Sequence, residues 1–149
     1  MSRKTSGSVS LVADFELLEH TADTGFRVRA GTLEELFIRA AEALTAVALD
    51  PSQARPLESR ALSTSGETLE DRFVNWLNEV LWLLDGERWV PAAFEDLRFD
   101  GDTVSALARG EPRDEARHRP RIVVKAVTFH QLAIRKQNGM WEAEVFLDI

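Results

Sequence analysis

Cysteine is absent from this chain of 149 residues. Its absence excludes disulfide bonds, thiolate metal sites and a cysteine nucleophile. Long apolar runs are also missing, since no stretch nears the roughly 18 consecutive apolar residues that a transmembrane helix requires. The polar first ten residues lack the apolar core of a signal peptide. We therefore expect a cytoplasmic protein with a disordered lead over residues 1–13 and one domain over residues 14–149.

Positively charged residues are fewer than negatively charged ones: the chain has 18 Lys and Arg residues and 25 Asp and Glu residues, which gives a net charge of −7. Proteins that bind nucleic acid through its phosphates usually carry a basic face. Tight, sequence-independent binding of RNA by this chain alone is therefore not expected. An acidic chain is instead suited to a basic partner protein, which it would meet faster through electrostatic steering.

The common motifs of enzymes are missing too. The sequence has no Walker A loop, no GxGxxG loop, no HExxH helix and no GxSxG turn, so nucleotide binding, zinc hydrolysis and serine hydrolysis have no motif. The three histidines, His20, His118 and His130, lie too far apart to suggest a zinc site. The basic stretch 113–121 also contains acidic residues, and we interpret it as a solvated loop with at most a minor role in touching RNA or an acidic partner surface.

Two amphipathic helices are predicted. Thr32-Leu33-Glu34-Glu35 forms a capping box, and apolar residues then recur at helical spacing as far as residue 48. A second helix opens near Thr68 and is expected to stop at Asp85-Gly86. Two helices that each carry one wide apolar stripe need a sheet to pack against.

The remaining sequence favours strands. Asp100-Gly101 and Asn138-Gly139 are hairpin turns, and the second one places Arg135 opposite Glu142. Weaker strand patterns cover residues 14–18 and 58–65. The predicted fold class is α+β: a single domain with a largely antiparallel β-sheet and two amphipathic helices.

Two charged residues stand out within this framework. Asp23 lies in the turn 20–25, where turn chemistry alone would account for an aspartate. Lys125 interrupts the apolar run 122–127, which is typical of an interior strand. An interior ammonium would need an anionic partner, whereas an edge strand would leave it in solvent, and the pattern leaves both alternatives open.

The last five residues, 145–149, are a third unusual feature because they are mostly apolar where chain ends are commonly loose and polar. Asp148 and the α-carboxylate of Ile149 place two negative charges side by side at neutral pH. Adjacent anions docked against a core are costly without a cation between them, and a hard divalent ion prefers oxygen ligands. We therefore expect a metal site there, which a third carboxylate such as Asp23 would complete.

Taken together, these residues resemble the archease family over nearly the whole chain except its first 13 residues. Thr24 and Phe129 depart from the family pattern, but neither departure removes a charged group. The resemblance rests on the following segments: 19–23 (EHTAD), 31–37 (GTLEELF), 76–79 (WLNE), 118–119 (HR), 125–130 (KAVTFH) and 146–149 (FLDI).

The resemblance implies a metal site formed by Asp23, Asp148 and the terminal carboxylate of Ile149, which would hold Ca²⁺ or Mg²⁺/Mn²⁺. It also implies that Lys125 is functionally required and assists a partner. That partner is an RtcB-type RNA ligase of tRNA splicing or RNA repair, which joins a 2′,3′-cyclic or 3′-phosphate end to a 5′-hydroxyl. Archeases promote the guanylylation of this ligase and its further turnovers, so the chain would be an activator rather than an enzyme and would meet RNA only indirectly.

Two other functions remain as alternatives. Two aspartates, a metal ion and a lysine could form an autonomous nuclease or phosphatase, although the missing basic surface argues against it. The chain could also be an interaction module whose metal ion is purely structural. We expect Asp23, Lys125 and Asp148 to converge in space, because a buried lysine needs an anion and clustered anions need a cation.

Overall fold

The computed structural model describes residues 15–19 and 24–149. The expected lead 1–13, together with Asp23 and His20, lies outside the described residues. The described elements in chain order are β1 (Glu16–Glu19), β2 (Thr24–Ala30), α1 (Leu33–Ala48), β3 (Glu58–Ser65), α2 (Leu69–Leu81), β4 (Trp89–Asp100), β5 (Thr103–Pro112), β6 (Ala126–Val127), β7 (Ala133–Gln137) and β8 (Met140–Asp148).

The strands form two antiparallel sheets rather than the single sheet that the sequence predicts. In the larger sheet β8 lies at the centre, with β2 on one side and both β6 and β7 on the other, and β1 pairs with the far edge of β2. The smaller sheet has the order β3-β5-β4. The α+β class, the two helices and the antiparallel pairing are thus confirmed, and the strands are divided between two layers.

Both helices begin where the sequence predicts. The Thr32 hydroxyl accepts a hydrogen bond from Glu35 N at 3.1 Å, and α2 opens with a complete capping box between Thr68 and Asp71. These bonds satisfy amide groups that have no partner within a helix. The helical stretch also ends at Asp85-Gly86 as predicted, with residues Trp82–Gly86 forming one π-helical turn directly after α2.

Helix α1 packs between the two sheets, since it contacts β2 and β8 of the larger sheet and β4 of the smaller one. Buried residues therefore occupy most of the circumference of α1, rather than a single stripe along one face. The indole of Trp76 on α2 is fully buried and donates to Phe37 O at 2.9 Å, which joins the two helices. Among the described residues, no helix is long and apolar enough to span a membrane.

The predicted hairpin at Asn138-Gly139 is confirmed. Both turn residues have positive φ, 54° and 78°, as a type I′ turn requires, and Arg135 pairs with Glu142. The interior strand predicted over residues 122–127 is wrong, because only Ala126 and Val127 pair with β8 and Val123 is 75% exposed. Because β7 occupies residues 140–144 of β8 on this side, only residues 145–148 remain free, and β6 pairs with the last two of them.

Candidate functional site

The residues singled out at the end of the sequence lie at one end of the larger sheet. The first residue of β2, Thr24, pairs with Leu147 on β8, and on the other side of β8 Ala126 pairs with Asp148. The amide of Lys125 donates to Asp148 O at 2.7 Å. The start of β2, the end of β8 and the start of β6 are therefore neighbours.

The end of β8 alternates between the core and solvent. Leu147 is 1% exposed and belongs to the core, whereas Asp148 is exposed and Ile149 is 43% exposed. Because β2 and β6 flank Leu147, the backbone directly before Asp148 is held by strand pairing on both sides. The exposed Asp148 can therefore offer its oxygen atoms to a ligand without movement of the strand.

Lys125 occupies the solvent side of the sheet edge, so the structure decides between the two alternatives that its sequence left open. Its side chain is exposed, and an ammonium there needs no buried partner. The structure brings Lys125 and Asp148 together through their backbones. Asp23 precedes Thr24 and lies outside the described residues, so the expected convergence of all three residues stays a prediction.

The donor set at this end of the sheet suits a hard cation. Within residues 15–19 and 24–149, no three His, Asp or Glu side chains are grouped in a way that could hold a metal ion. Asp23 lies outside these residues, so the predicted three-ligand site of Asp23, Asp148 and the carboxylate of Ile149 stays a prediction. All three groups are oxygen donors, which Ca²⁺, Mg²⁺ and Mn²⁺ prefer.

Strand β6 is held from its other side by a residue that the sequence did not single out. Asn78 on α2 donates from Nδ2 to Val127 O at 3.1 Å and accepts from Val127 N at 3.0 Å. These reciprocal bonds satisfy both backbone groups of Val127 at the sheet edge. Asn78 lies within the segment 76–79, so the family resemblance was the available signal for it.

The outer face of the larger sheet carries a ladder of ion pairs beside this site. Arg27 bonds Glu144 and Glu16, and Glu142 accepts from both Arg29 and Arg135 at 2.7 Å. Burial alone would raise the pKa of Glu142, but the hydrogen bonds from Arg135 and Arg29 lower it below its usual value.

A buried ionic cluster lies around Glu111 near the end of β5. Its carboxylate is 2% exposed and receives Arg117 as a bidentate partner at 2.6 and 2.9 Å, together with the backbone amide of Arg55 at 2.8 Å. His118 Nε2 lies 3.0 Å from the same carboxylate. The hydrogen bonds from Arg117, followed by those from Arg55 and His118, hold the pKa of Glu111 well below its usual value.

The geometry of His118 fixes its tautomer. The amide of Asp114 donates to Nδ1 at 2.9 Å, so Nδ1 accepts and the proton lies on Nε2, which donates to Glu111. His118 is completely buried. The solvated loop predicted for 113–121 is therefore wrong at its centre, although Arg119 and Arg121 are exposed. The sequence pattern could not predict this buried cluster, because it includes partners that are distant in sequence. Arg55, which bonds Glu111, is 56 residues away from it.

This cluster positions the chain that leads to Lys125. After His118, the carbonyl of Arg119 accepts from Asp50 N at 2.9 Å, and the amide of Arg121 donates to Ala48 O at 2.9 Å. These bonds tie residues 119–121 to the C-terminal end of α1. The amide of Ile122 also donates to Val47 O at 3.3 Å, and the next bond is that of Lys125 to β8.

Comparisons with known proteins agree with this arrangement. Residues 15–149 match the profile of the archease protein family. The chain is 36% identical to the protein archease of Methanopyrus kandleri, over 91% of this chain and 99% of that protein, and 33% identical to that of Pyrobaculum neutrophilum, over 92% and 96%.

Two solved structures share the fold. The solution structure of protein 1598 of Methanobacterium thermoautotrophicum superposes with a TM-score of 0.77 at 33% identity, covering 91% of this chain and 98% of that one. A crystal structure from Thermotoga maritima, described as an archease and possible chaperone, gives 0.57 at 22% identity, over 89% and 94%, and supports the fold alone. Because the profile spans every described element and the relatives match nearly end to end, this chain belongs to the archease family.

Proposed function

We propose that this chain is an accessory protein of an RtcB-type RNA ligase, that it promotes guanylylation and repeated turnover of that ligase, and that it has no substrate of its own. The observation that carries the proposal is the meeting of three strand ends at one edge of the larger sheet. There Thr24 pairs with Leu147, and Lys125 donates to Asp148 O. This edge presents carboxylates and an ammonium to solvent on a rigid backbone, which suits action on a partner's pocket.

The proposed metal ligands are Asp23, Asp148 and the α-carboxylate that Ile149 carries as the last residue of this sequence. Asp23 directly precedes Thr24 in the sequence, and Thr24 pairs with Leu147, the residue before Asp148. A divalent ion bound there would supply a positive charge that offsets the carboxylates and attracts phosphate oxygens.

Lys125 supplies a second positive charge at the same edge. Its side chain is exposed, while its backbone is fixed by the bond to Asp148 O. An ammonium donates three hydrogen bonds and is a strong partner for phosphate oxygens. We assign to it the task of contacting the phosphates of the guanylyl group or of its donor nucleotide in the ligase pocket.

A guanylylation assay with the cognate ligase tests this proposal. The ligase is incubated with GTP and a divalent ion, with and without this protein, and covalent GMP on the ligase is counted before any RNA is added. We expect Asp148→Asn and Lys125→Ala to lose most of the stimulation while keeping the thermal melting temperature of the wild type. Asp100→Asn, at the end of β4, and Lys136→Ala, on β7, are matched controls that should retain it. Full stimulation by Asp148→Asn would contradict the proposal.

The terminal carboxylate can be tested separately. A C-terminal extension turns the carboxylate of Ile149 into an amide, which removes one negative charge from the proposed ligand set. Deletion of Ile149 moves the carboxylate back by one strand step, about 3.3 Å. Both changes should weaken metal binding and stimulation, whereas an N-terminal extension should not. Equal affinity in all three forms would leave Asp23 and Asp148 as the only proposed ligands.

A further inference from the structure

Most arginines of this chain are neutralised by a carboxylate. Among the described residues, Arg27, Arg29, Arg117 and Arg135 each have an ion pair within 2.7 Å, and others have longer ones. In a chain with seven more acidic than basic residues, pairing is the expected state of a surface cation. An exposed cation that has no carboxylate partner is therefore the unusual case.

Two such unpaired cations lie on one segment, 119–129, which passes from the C-terminal end of α1 to β6 at the edge of the larger sheet. Within the part of the chain that the structure describes, neither Arg119 nor Lys125 has a carboxylate within 4.0 Å, and both side chains are exposed. Between them Arg121 is partly engaged, since its Nη1 donates to Ala46 O at 2.8 Å and its Nη2 lies 3.8 Å from Asp50.

The backbone of this segment is fixed at both ends. Arg119 O accepts from Asp50 N, and Lys125 N donates to Asp148 O. Between these points six residue steps span at most about 20 Å. From residue 121 to residue 125 the odd-numbered residues are exposed and the even-numbered ones are partly or fully buried, as in an extended chain lying on a surface. Arg119, Arg121 and Lys125 are therefore spaced along a line rather than clustered at a point.

An exposed aromatic ring follows on the same segment. Phe129 is 54% exposed, four residues after Lys125. Cations spaced along a groove or ridge, together with an exposed aromatic ring, are the features by which proteins hold single-stranded nucleic acid, because the cations contact phosphates and the ring stacks on a base. A partner protein with an acidic surface would use the cations but would have less need for the ring.

We infer that the segment 119–129 is a contact site for single-stranded RNA, with Arg119, Arg121 and, after guanylylation is complete, Lys125 on the phosphates and Phe129 against a base. The inference deepens the proposed function and rests on it for the identity of the RNA, which would be the end that the ligase joins. It departs from the expectation that this chain meets RNA only indirectly. The contact is weak by itself, because three phosphates give a slope of only about −2 for log K against log[salt].

The test is binding of a fluorescent single-stranded oligoribonucleotide to the isolated full chain, measured by anisotropy from low to moderate salt. Arg119→Gln should lower the magnitude of the salt slope by about 0.7, the value for one phosphate of a single strand. Phe129→Leu should weaken binding about fivefold or more at every salt concentration, because it removes a stacking platform. Arg98→Gln is the matched control, since Arg98 is also exposed but lies on β4 of the smaller sheet.

The outcomes are distinct. Binding that is absent at low salt, or equal in Arg119→Gln, Phe129→Leu and Arg98→Gln, overturns the inference. If Arg119→Gln weakens binding to the RNA-free ligase but leaves oligoribonucleotide binding unchanged, the segment is a protein-docking surface and the inference is likewise wrong. Anisotropy uses no ligase and the guanylylation assay uses no RNA, so failure here and failure of the proposed function are separate results.

Discussion

Glu111 and Asp148 are carboxylates in similar local positions, because each lies within the last two residues of a long antiparallel strand. Glu111 is buried, and both of its oxygens accept hydrogen bonds from Arg117, Arg55 and His118. Asp148 is exposed, and its backbone rather than its side chain is engaged by Lys125. A carboxylate whose oxygens are already used stabilises the fold, whereas one held on a rigid backbone with its oxygens facing solvent is available for a ligand.

The largest expected effect on stability is that of Glu111→Ala. Removal of this carboxylate leaves Arg117 and the Nε2 proton of His118 without their partner, and breaking a buried pair costs about 3 kcal/mol or more. Urea unfolding should give this loss in the free energy of unfolding. Glu95→Ala, an exposed control on β4, should change it by no more than about 0.5 kcal/mol. If the free energy of unfolding falls by less than about 1 kcal/mol, Glu111 is not a carboxylate that stabilises the fold.

Divalent ions should stabilise the native state through Asp148 and not through Glu111. A ligand at a hundredfold excess over its Kd adds about 2.7 kcal/mol to the free energy of unfolding when it binds the native state alone. We expect this gain from Ca²⁺ or Mg²⁺ in the wild type, an equal gain in Glu111→Gln from a lower starting value, and little gain in Asp148→Asn. If the wild-type melting curves in the ion and in a chelator coincide, the ion does not stabilise the native state. Asp148 and Glu111 would then not differ in metal binding.

Acid should act mainly on the buried carboxylate. Because the pKa of Glu111 is lowered in the folded protein from an ordinary value of 4.5, its contribution is present above pH 4.5 and is lost as the pH falls toward the folded value. Between pH 4.5 and pH 3.5 this one group accounts for about 1 kcal/mol of stability, because the unfolded carboxyl is already half ionised at pH 4.5. Subtracting the curve of Glu111→Gln from that of the wild type isolates this part, and parallel curves would contradict the assignment.

The smallest effect is expected on the ladder of ion pairs, in which Glu142 is 14% exposed but its partners Arg29 and Arg135 face solvent. Glu142→Gln removes the partner of Arg29 and Arg135 on the solvent face of β8. Pairs of this kind contribute up to about 1 kcal/mol and are screened by salt. The difference from the wild type in urea unfolding should therefore shrink between low salt and 1 M salt. A loss as large as that of Glu111→Ala would mean that surface and interior pairs do not differ here.

Local patterns predicted much of the fold. Capping residues and turn residues act over three or four positions, so Thr32, Thr68 and Asn138-Gly139 were sufficient to place both helix starts and one hairpin with its register. The division into two sheets could not be predicted, because it depends on which strands pair over long sequence distances. The same limit led to the wrong interior strand over residues 122–127.

The residues of the site and of the buried cluster were also predicted unequally, because some of them are recognisable only from contacts between residues distant in sequence. Lys125 and Asp148 were singled out because each breaks an apolar run, and the structure brings their backbones together. Glu111 has no such signal, since it lies in a charged stretch and its burial depends on Arg55, 56 residues away. Asn78 is an ordinary polar residue on an amphipathic helix, and only its bonds to Val127 reveal its task.

The central position of β8 has a consequence for how quickly the chain can fold. Arg27 on β2 and its partner Glu144 on β8 are 117 residues apart, so the middle of the larger sheet consists of contacts between the two ends of the chain. Such non-local pairing slows folding compared with local contacts. At a synthesis rate of about 5–20 residues per second, β2 is synthesised roughly 5–20 s before β8. During this time the inner edge of β2 has no strand to pair with, and the nascent chain must avoid pairing it with a neighbouring molecule.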